Sequence, residues 1–134
     1  MIKDIEFNKV KGIGMAIVKG ESDDGVALLE SYLLNFKDVD LHQIMIRSKG
    51  QGMVDQKKIS TSTLRMLIER VESKGFVKID SFSPEAATLS NEYWISFRED
   101  NYLYDKKFIF VRGSITDEHF VQIPFLNQKG VLIR

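Results

Sequence analysis

The sequence predicts an all-β fold, an antiparallel β-sandwich of about seven strands with one short helix. Three observations carry this expectation. Apolar segments recur at short intervals and are parted by turn-forming clusters at residues 21–25, 37–40, 49–52, 73–75, 83–85 and 99–101, the spacing of short strands folded back on one another. Residues 42–48 alternate apolar and polar side chains with a period of two, the signature of a half-buried strand. Residues 91–111 read as a hairpin with aromatic side chains on one face of both strands. Together these favour a sandwich over βαβ units, with α+β as the alternative.

Residues 14–19 and 76–82 are rich in β-branched and aromatic side chains and read as strands buried on both faces. Residues 26–36 are ambiguous. Leu29, Tyr32, Leu33 and Phe36 fit helical spacing, while Leu29, Ser31, Leu33 and Asn35 fit a strand; the strands on either side decide for a strand. In residues 42–48, Ile44 and Ile46 share one face and Gln43, Met45 and Arg47 the other. The single helix is expected at Leu64–Val71, where Leu64, Leu67, Ile68 and Val71 fall at i, i+3, i+4 and i+7 behind Ser60, Thr61 and Ser62 as N-cap candidates. Glu69 and Arg70 would face solvent.

The hairpin has an arguable register. An even turn centred on Asp100-Asn101 sets Tyr93 against Phe108 and Phe97 against Tyr104, two aromatic pairs on one face. An odd turn would set Tyr93 against Lys107 and Ile95 against Asp105, burying charge among aromatics at about several kcal/mol. The even register leaves Lys106 opposite Ile95 and puts Trp94 beside Lys107 on the other face, at cation–π range.

The 134 residues fit one domain, against a prior of about 150 residues per domain. Hydrophobic residues make up 43% and charged residues 28%, which excludes disordered and collagen-like classes. Cysteine is absent, so disulfides, thiolate nucleophiles and Cys-ligated metals are excluded. Nineteen basic residues balance nineteen acidic ones, so any site for an anion must be local. The opening residues, Met1 to Phe7, break their apolar positions with charge, unlike a signal peptide, and no run reaches membrane-span length. The expected location is the cytoplasm, with no membrane partner.

Motif spacing supports no catalytic centre. Gly12-Ile13-Gly14 has Ile17 at the third glycine position of a dinucleotide fingerprint, and Lys49-Gly50-Gln51-Gly52 lacks the ending of a P-loop, so it reads as a plain glycine turn. Asp23-Asp24 and Asp38-Val39-Asp40 lack an EF-hand frame, and no G-x-S-x-G elbow is present. Lys107 to Val111 lacks the small residues of an RNP1 strand. His42 and His119 stand without a second ligand at metal spacing. No metal and no cofactor are expected.

Two sets of residues remain. Trp94 lies on the polar face of its strand with Glu92, Ser96 and Arg98, so Trp94, Lys107 and Arg98 are candidates for docking a protein partner or a second copy of the chain. Cover by a second sheet or by residues 120–125 is the competing expectation for Trp94. Arg47, Lys49, Lys57, Lys58 and Arg65 cluster around the glycine-rich segment and the expected helix start, where a helix dipole would add to their pull on RNA or another anion.

Several motifs resemble a known family as a set. Ser48-Lys49-Gly50 with Gly52, Thr61-Ser62-Thr63-Leu64-Arg65, Asn91-Glu92-Tyr93-Trp94-Ile95-Ser96-Phe97, Tyr104-Asp105-Lys106-Lys107-Phe108-Ile109-Phe110-Val111 and Ile123-Pro124 with Gly130-Val131 carry the likeness. It is to a family of short, uncharacterised bacterial proteins of the Bacteroidetes lineage. Gln51 replaces the tyrosine of that pattern. Some members are labelled phenylalanyl-tRNA synthetase subunits without a demonstrated activity. This chain is too short for an aminoacylation domain, so the resemblance implies an accessory tRNA-contacting role and assigns no residue. The strand order expected here is also similar to that of immunoglobulin-like interaction domains, although the cysteine and core tryptophan spacing of true immunoglobulin domains is missing.

The functional expectation is a non-catalytic protein-interaction module. The alternative is an accessory RNA binder using the basic set, and a third reading is a small enzyme with His42 or His119 as general base, which requires a pocket holding a histidine and a carboxylate.

Overall fold

A computed structural model describes residues 11–61, 63–99 and 101–134. In chain order the strands are β1 (Ile13–Glu21), β2 (Ala27–Asn35), β3 (Leu41–Val54), β4 (Lys57–Ser60), β5 (Leu64–Val71), β6 (Phe76–Phe82), β7 (Ser90–Glu99), β8 (Tyr102–Phe110), β9 (Val121–Ile123) and β10 (Gln128–Ile133). Short 3-10 turns occupy Pro84–Thr88 and Asp117–His119. The strands form two antiparallel sheets, an all-β sandwich. Sheet one has the order β6-β2-β1-β10-β9; sheet two has β4-β3-β7-β8, with β5 also paired to β3.

Within these orders, β1-β2-β6 and β3-β7-β8 reproduce the A-B-E and C-F-G sets of an immunoglobulin-like sandwich. The β9–β10 hairpin extends sheet one beyond β1, and β4 and β5 share the second edge of the long β3. These additions bring the count to ten strands where the turn clusters suggested about seven.

The inner faces build the core. Met15 and Ile17 of β1, Leu33 of β2, Ile44 and Ile46 of β3, Tyr93, Ile95 and Phe97 of β7, and Phe108 and Phe110 of β8 are buried together. The outer face of sheet one is buried as well: Ala16, Val18 and Leu34 pack against Ile123, Leu126 and Leu132, with Phe125 against Phe36 at 5.4 Å between ring centres. Ile123 at the end of β9 and Leu126 in the turn after it thus pack on the outer face of β1 and β2, which explains why β1 lacks alternation. The β7–β8 hairpin has the register argued from the sequence, with Tyr93 opposite Phe108, Phe97 opposite Tyr104, Ile95 opposite Lys106 and Trp94 opposite Lys107. Phe97 and Tyr104 stack at 5.4 Å, and Tyr93 meets Phe110 edge-on at 6.0 Å. Of the turn itself, Asp100 lies outside the described residues, as do Ser62 and residues 1–10.

Two expectations are corrected. Leu64–Val71 is strand β5, not a helix. Its helical spacing is matched by a period of two, in which Leu64, Met66 and Ile68 pack on the core while Arg65, Leu67 and Glu69 are exposed. Pairing with the open edge of β3 over Leu41–Ser48 supplies the hydrogen-bond partners that a lone two-turn helix would have lacked. Lys49-Gly50-Gln51-Gly52 is not a turn but the distal part of β3. A Cβ at Gly50 would stand 3.0 Å from Asn91 Oδ1, and one at Gly52 would stand 3.2 Å from Leu89 Cδ2, so these glycines allow close packing within a strand.

Asn35 ties β2 to two turns. It is fully buried, and its Nδ2 donates to the carbonyls of Val39, Val71 and Glu72 at 2.9, 3.2 and 3.0 Å, while its Oδ1 accepts from the Lys37 amide at 3.0 Å. Asn35→Ala strands those backbone groups and is expected to lower stability by about 2–4 kcal/mol in urea unfolding; a change under about 0.5 kcal/mol would show that water replaces the amide.

Burial pushes the Tyr93 phenol up to about 12, the Asp80 charge adding to the rise and the Ser31 hydroxyl opposing it. The folded state therefore resists ionisation that the unfolded chain undergoes from pH 10 upward. Stability is unaffected below about pH 10 and falls between about pH 10 and 12, by about 2–3 kcal/mol. Tyr32, raised chiefly by burial and then by Glu30, adds to the same alkaline loss. Chemical unfolding at pH 9 and 11.5 should show that loss shrink in Tyr93→Phe.

Candidate functional site

Sheet two leaves its outer face open. Strands β5, β3, β7 and β8 lie side by side along the first half of β3, and alternation sends every second residue outward. The registers arrange these residues in rows. Arg65, Arg47, Trp94 and Lys107 are successive cross-strand neighbours; Leu67, Met45, Ser96 and Asp105 form the next row. Neighbouring strands are about 4.8 Å apart and the rows about 7 Å apart. These eight side chains, with backbone from the intervening residues, line a groove of about 640 Å³.

Trp94 sits at the centre, partly exposed. The Arg47 guanidinium lies 4.7 Å and the Lys107 ammonium 4.9 Å from its ring centre, both at cation–π distance. The two cations differ in their surroundings. Lys107 Nζ pairs with Glu92 Oε1 at 3.1 Å, and Gln51 Nε2 donates to Glu92 Oε2 at 2.7 Å. Arg47 has the indole face but no carboxylate partner among the described residues, and the same holds for Arg65 directly opposite it. On the far side Ser96 Oγ donates to Asp105 Oδ1 at 2.7 Å. The floor and near rim are apolar: Met45 is 62% and Leu67 73% exposed.

Residues 120–125 do not cover Trp94: Val121–Ile123 is a strand of sheet one, and Phe120 packs on the core between the sheets. No protein-family model and no curated protein matches this chain. The geometry of this face therefore carries the functional argument.

The structure merges parts of the two residue sets found in the sequence. Trp94 and Lys107 from the docking set and Arg47 and Arg65 from the basic set line one groove. Arg98 does not line it. It is exposed on the same face opposite His42, where a β-bulge shifts the register of β3 between His42 and Met45 around Gln43, whose φ is 51°. Lys49 is half-buried opposite Glu92, one row away. Lys57 and Lys58 are exposed on β4 opposite Val54 and Met53, about 20 Å along β3 from Arg47 at strand rise. The helix dipole invoked for this basic set is absent because the segment is a strand.

His42 and His119 are both exposed and neither lines the groove. His119 Nδ1 lies 3.0 Å from the Ser114 carbonyl and 3.1 Å from Thr116 Oγ1. Among the described residues no group of three or more His, Asp or Glu could hold a metal, and no helix is long and apolar enough to cross a membrane.

Sequence reasoning missed Met45, Leu67, Ser96 and Asp105. Strict alternation over Arg65-Met66-Leu67-Ile68 was the available signal for Leu67.

Trp94→Ala removes two cation–π contacts but no core packing, so it is expected to cost about 1–2 kcal/mol, well below the about 3–5 kcal/mol expected for Phe97→Ala in the core. Urea unfolding of both variants compares them directly, and equal losses would mean that Trp94 is a core residue.

Proposed function

We propose that the chain is a non-catalytic interaction module of the cytoplasm that docks a protein partner on the outer face of sheet two. The observation that carries this reading is the contrast between the outer faces. Sheet one covers Ala16, Val18 and Leu34 of its outer face with Ile123 and Leu126, whereas sheet two exposes Met45, Leu67 and a cation-flanked Trp94 in one groove. Aromatic anchors beside arginines are over-represented among residues that dominate binding energy. Contiguous apolar exposure rimmed by charge is the usual mark of an interaction surface.

Accessory RNA binding is the second reading, favoured by the arginines and an aromatic ring that share one groove, a combination suited to stacking a base beside its phosphate. Neither histidine faces a carboxylate in the groove, so the general-base reading gains no support from this face.

A photo-crosslinking side chain placed at Leu67, and separately at the exposed Val121 on sheet one, tests the proposal in cells of the native host. Protein adducts are expected from position 67 at several times the yield from position 121. Adducts of twice the chain mass would identify the partner as a second copy, nuclease-sensitive adducts would support the RNA reading instead, and equal yields from both positions would overturn the docking face.

A further inference from the structure

Within that docking reading, we infer that the groove receives an extended acidic peptide segment of the partner, its carboxylate held by Arg47 and Arg65 and a nearby apolar side chain lying over Met45 and Leu67. Directly opposed like charges destabilise a sheet, and here Arg47 and Arg65 are direct cross-strand neighbours on β3 and β5, the Arg47 guanidinium lying over Trp94 and neither arginine ion-paired with an acid among the described residues. Some cations of the sandwich are set next to acids, as Lys78 is with Glu30 at 3.1 Å and Lys37 with Glu99 at 2.6 Å; Arg47 and Arg65 differ from the other unpaired cations in standing directly opposite one another beside an aromatic ring. A bound carboxylate between the arginines turns the repulsion into two charge-assisted contacts, which the planar guanidinium fork can make bidentate. Stacking on Trp94 holds one of these forks ready, which lowers the entropy lost on binding.

The spacing selects the form of the ligand. Arg47 and Met45 lie on adjacent outward positions of β3, as Arg65 and Leu67 do on β5, about 7 Å apart. Alternate side chains of an extended peptide have this same separation, so an acidic residue over the arginines puts the residue two positions away over Met45 and Leu67. A nucleic-acid backbone fits less well. Lys107 is already neutralised by Glu92, Asp105 stands at the far end of the groove, and Lys57 and Lys58 are remote on β4, so continuous phosphates would meet acids where they need cations.

Trp94 is the only tryptophan of the chain and reports occupancy by its emission. The probe is a capped peptide, Gly-Glu-Thr-Leu-Thr-Glu-Gly, titrated into the full chain beside versions with Gln for Glu or Gly for Leu, and beside a uridine decanucleotide. Saturable change with the Glu-Leu peptide is expected, weakened about tenfold or more by Gln for Glu, by Arg47→Gln and by Arg65→Gln, and unaffected by Lys58→Gln. Circular dichroism of the variants confirms folding, and Arg65→Gln tests the charge without removing the partner stacked on Trp94. No saturation up to millimolar peptide, equal binding of the Gln peptide, or tighter binding of the oligonucleotide would overturn the inference. Loss of peptide binding with protein adducts retained at position 67 would overturn the acidic ligand alone and leave the docking face standing.

Discussion

The register of β7 against β8 is the constraint on which both core and surface depend. Because side chains alternate along a strand, a slip of one residue would carry Tyr93, Ile95 and Phe97 outward and draw Glu92, Trp94 and Ser96 into the space between the sheets. The stacked Phe97–Tyr104 pair holds one end of that register, and the edge-on Tyr93–Phe110 contact holds the other. On the β3 side, Asn91 Nδ2 donates to the Ala86 and Leu89 carbonyls while its Oδ1 stands against Gly50. Packing inside the sandwich therefore sets where Trp94 and its flanking cations stand outside it.

Charge works in this molecule by placement and not by sum. Glu92 is almost buried, at 8% exposure, yet both its oxygens are engaged, by Gln51 and Lys107. Arg47 and Arg65 are separated by β4 and its turns in the chain and become neighbours only when β5 pairs back onto β3. A balanced total of acids and bases conceals this asymmetry, since the compensating acids are committed elsewhere, such as Asp40 with Arg70 and Asp117 with Lys19.

Much of the fold was legible because it rests on local rules. The hairpin register followed from aromatic pairing, and the alternation of Ile44 and Ile46 identified the inward face of β3. The misread elements depend on distant partners. Leu64–Val71 satisfies two periodicities, and only the open edge of β3 selects the extended one. Gly50 and Gly52 resemble turn residues until Asn91 and Leu89 are seen pressing on them. At the site, Trp94 and Lys107 could be paired from one hairpin, but the groove needs four strands from three separate stretches of chain. Met45 falls on the outward face with Arg47 but has no visible apolar neighbour there in the sequence, and Leu67 reads as part of the apolar stripe of a helix, for the same reason.

The packing of Ile123 and Leu126 on sheet one bears on valency. A sandwich with two open outer faces can stack face to face without limit, each copy passing the contact to the next. Here Ile123 and Leu126 fill the space over Ala16, Val18 and Leu34, so the two outer faces are unequal and a copy stacked on sheet one would meet this packed cover where sheet two offers a groove.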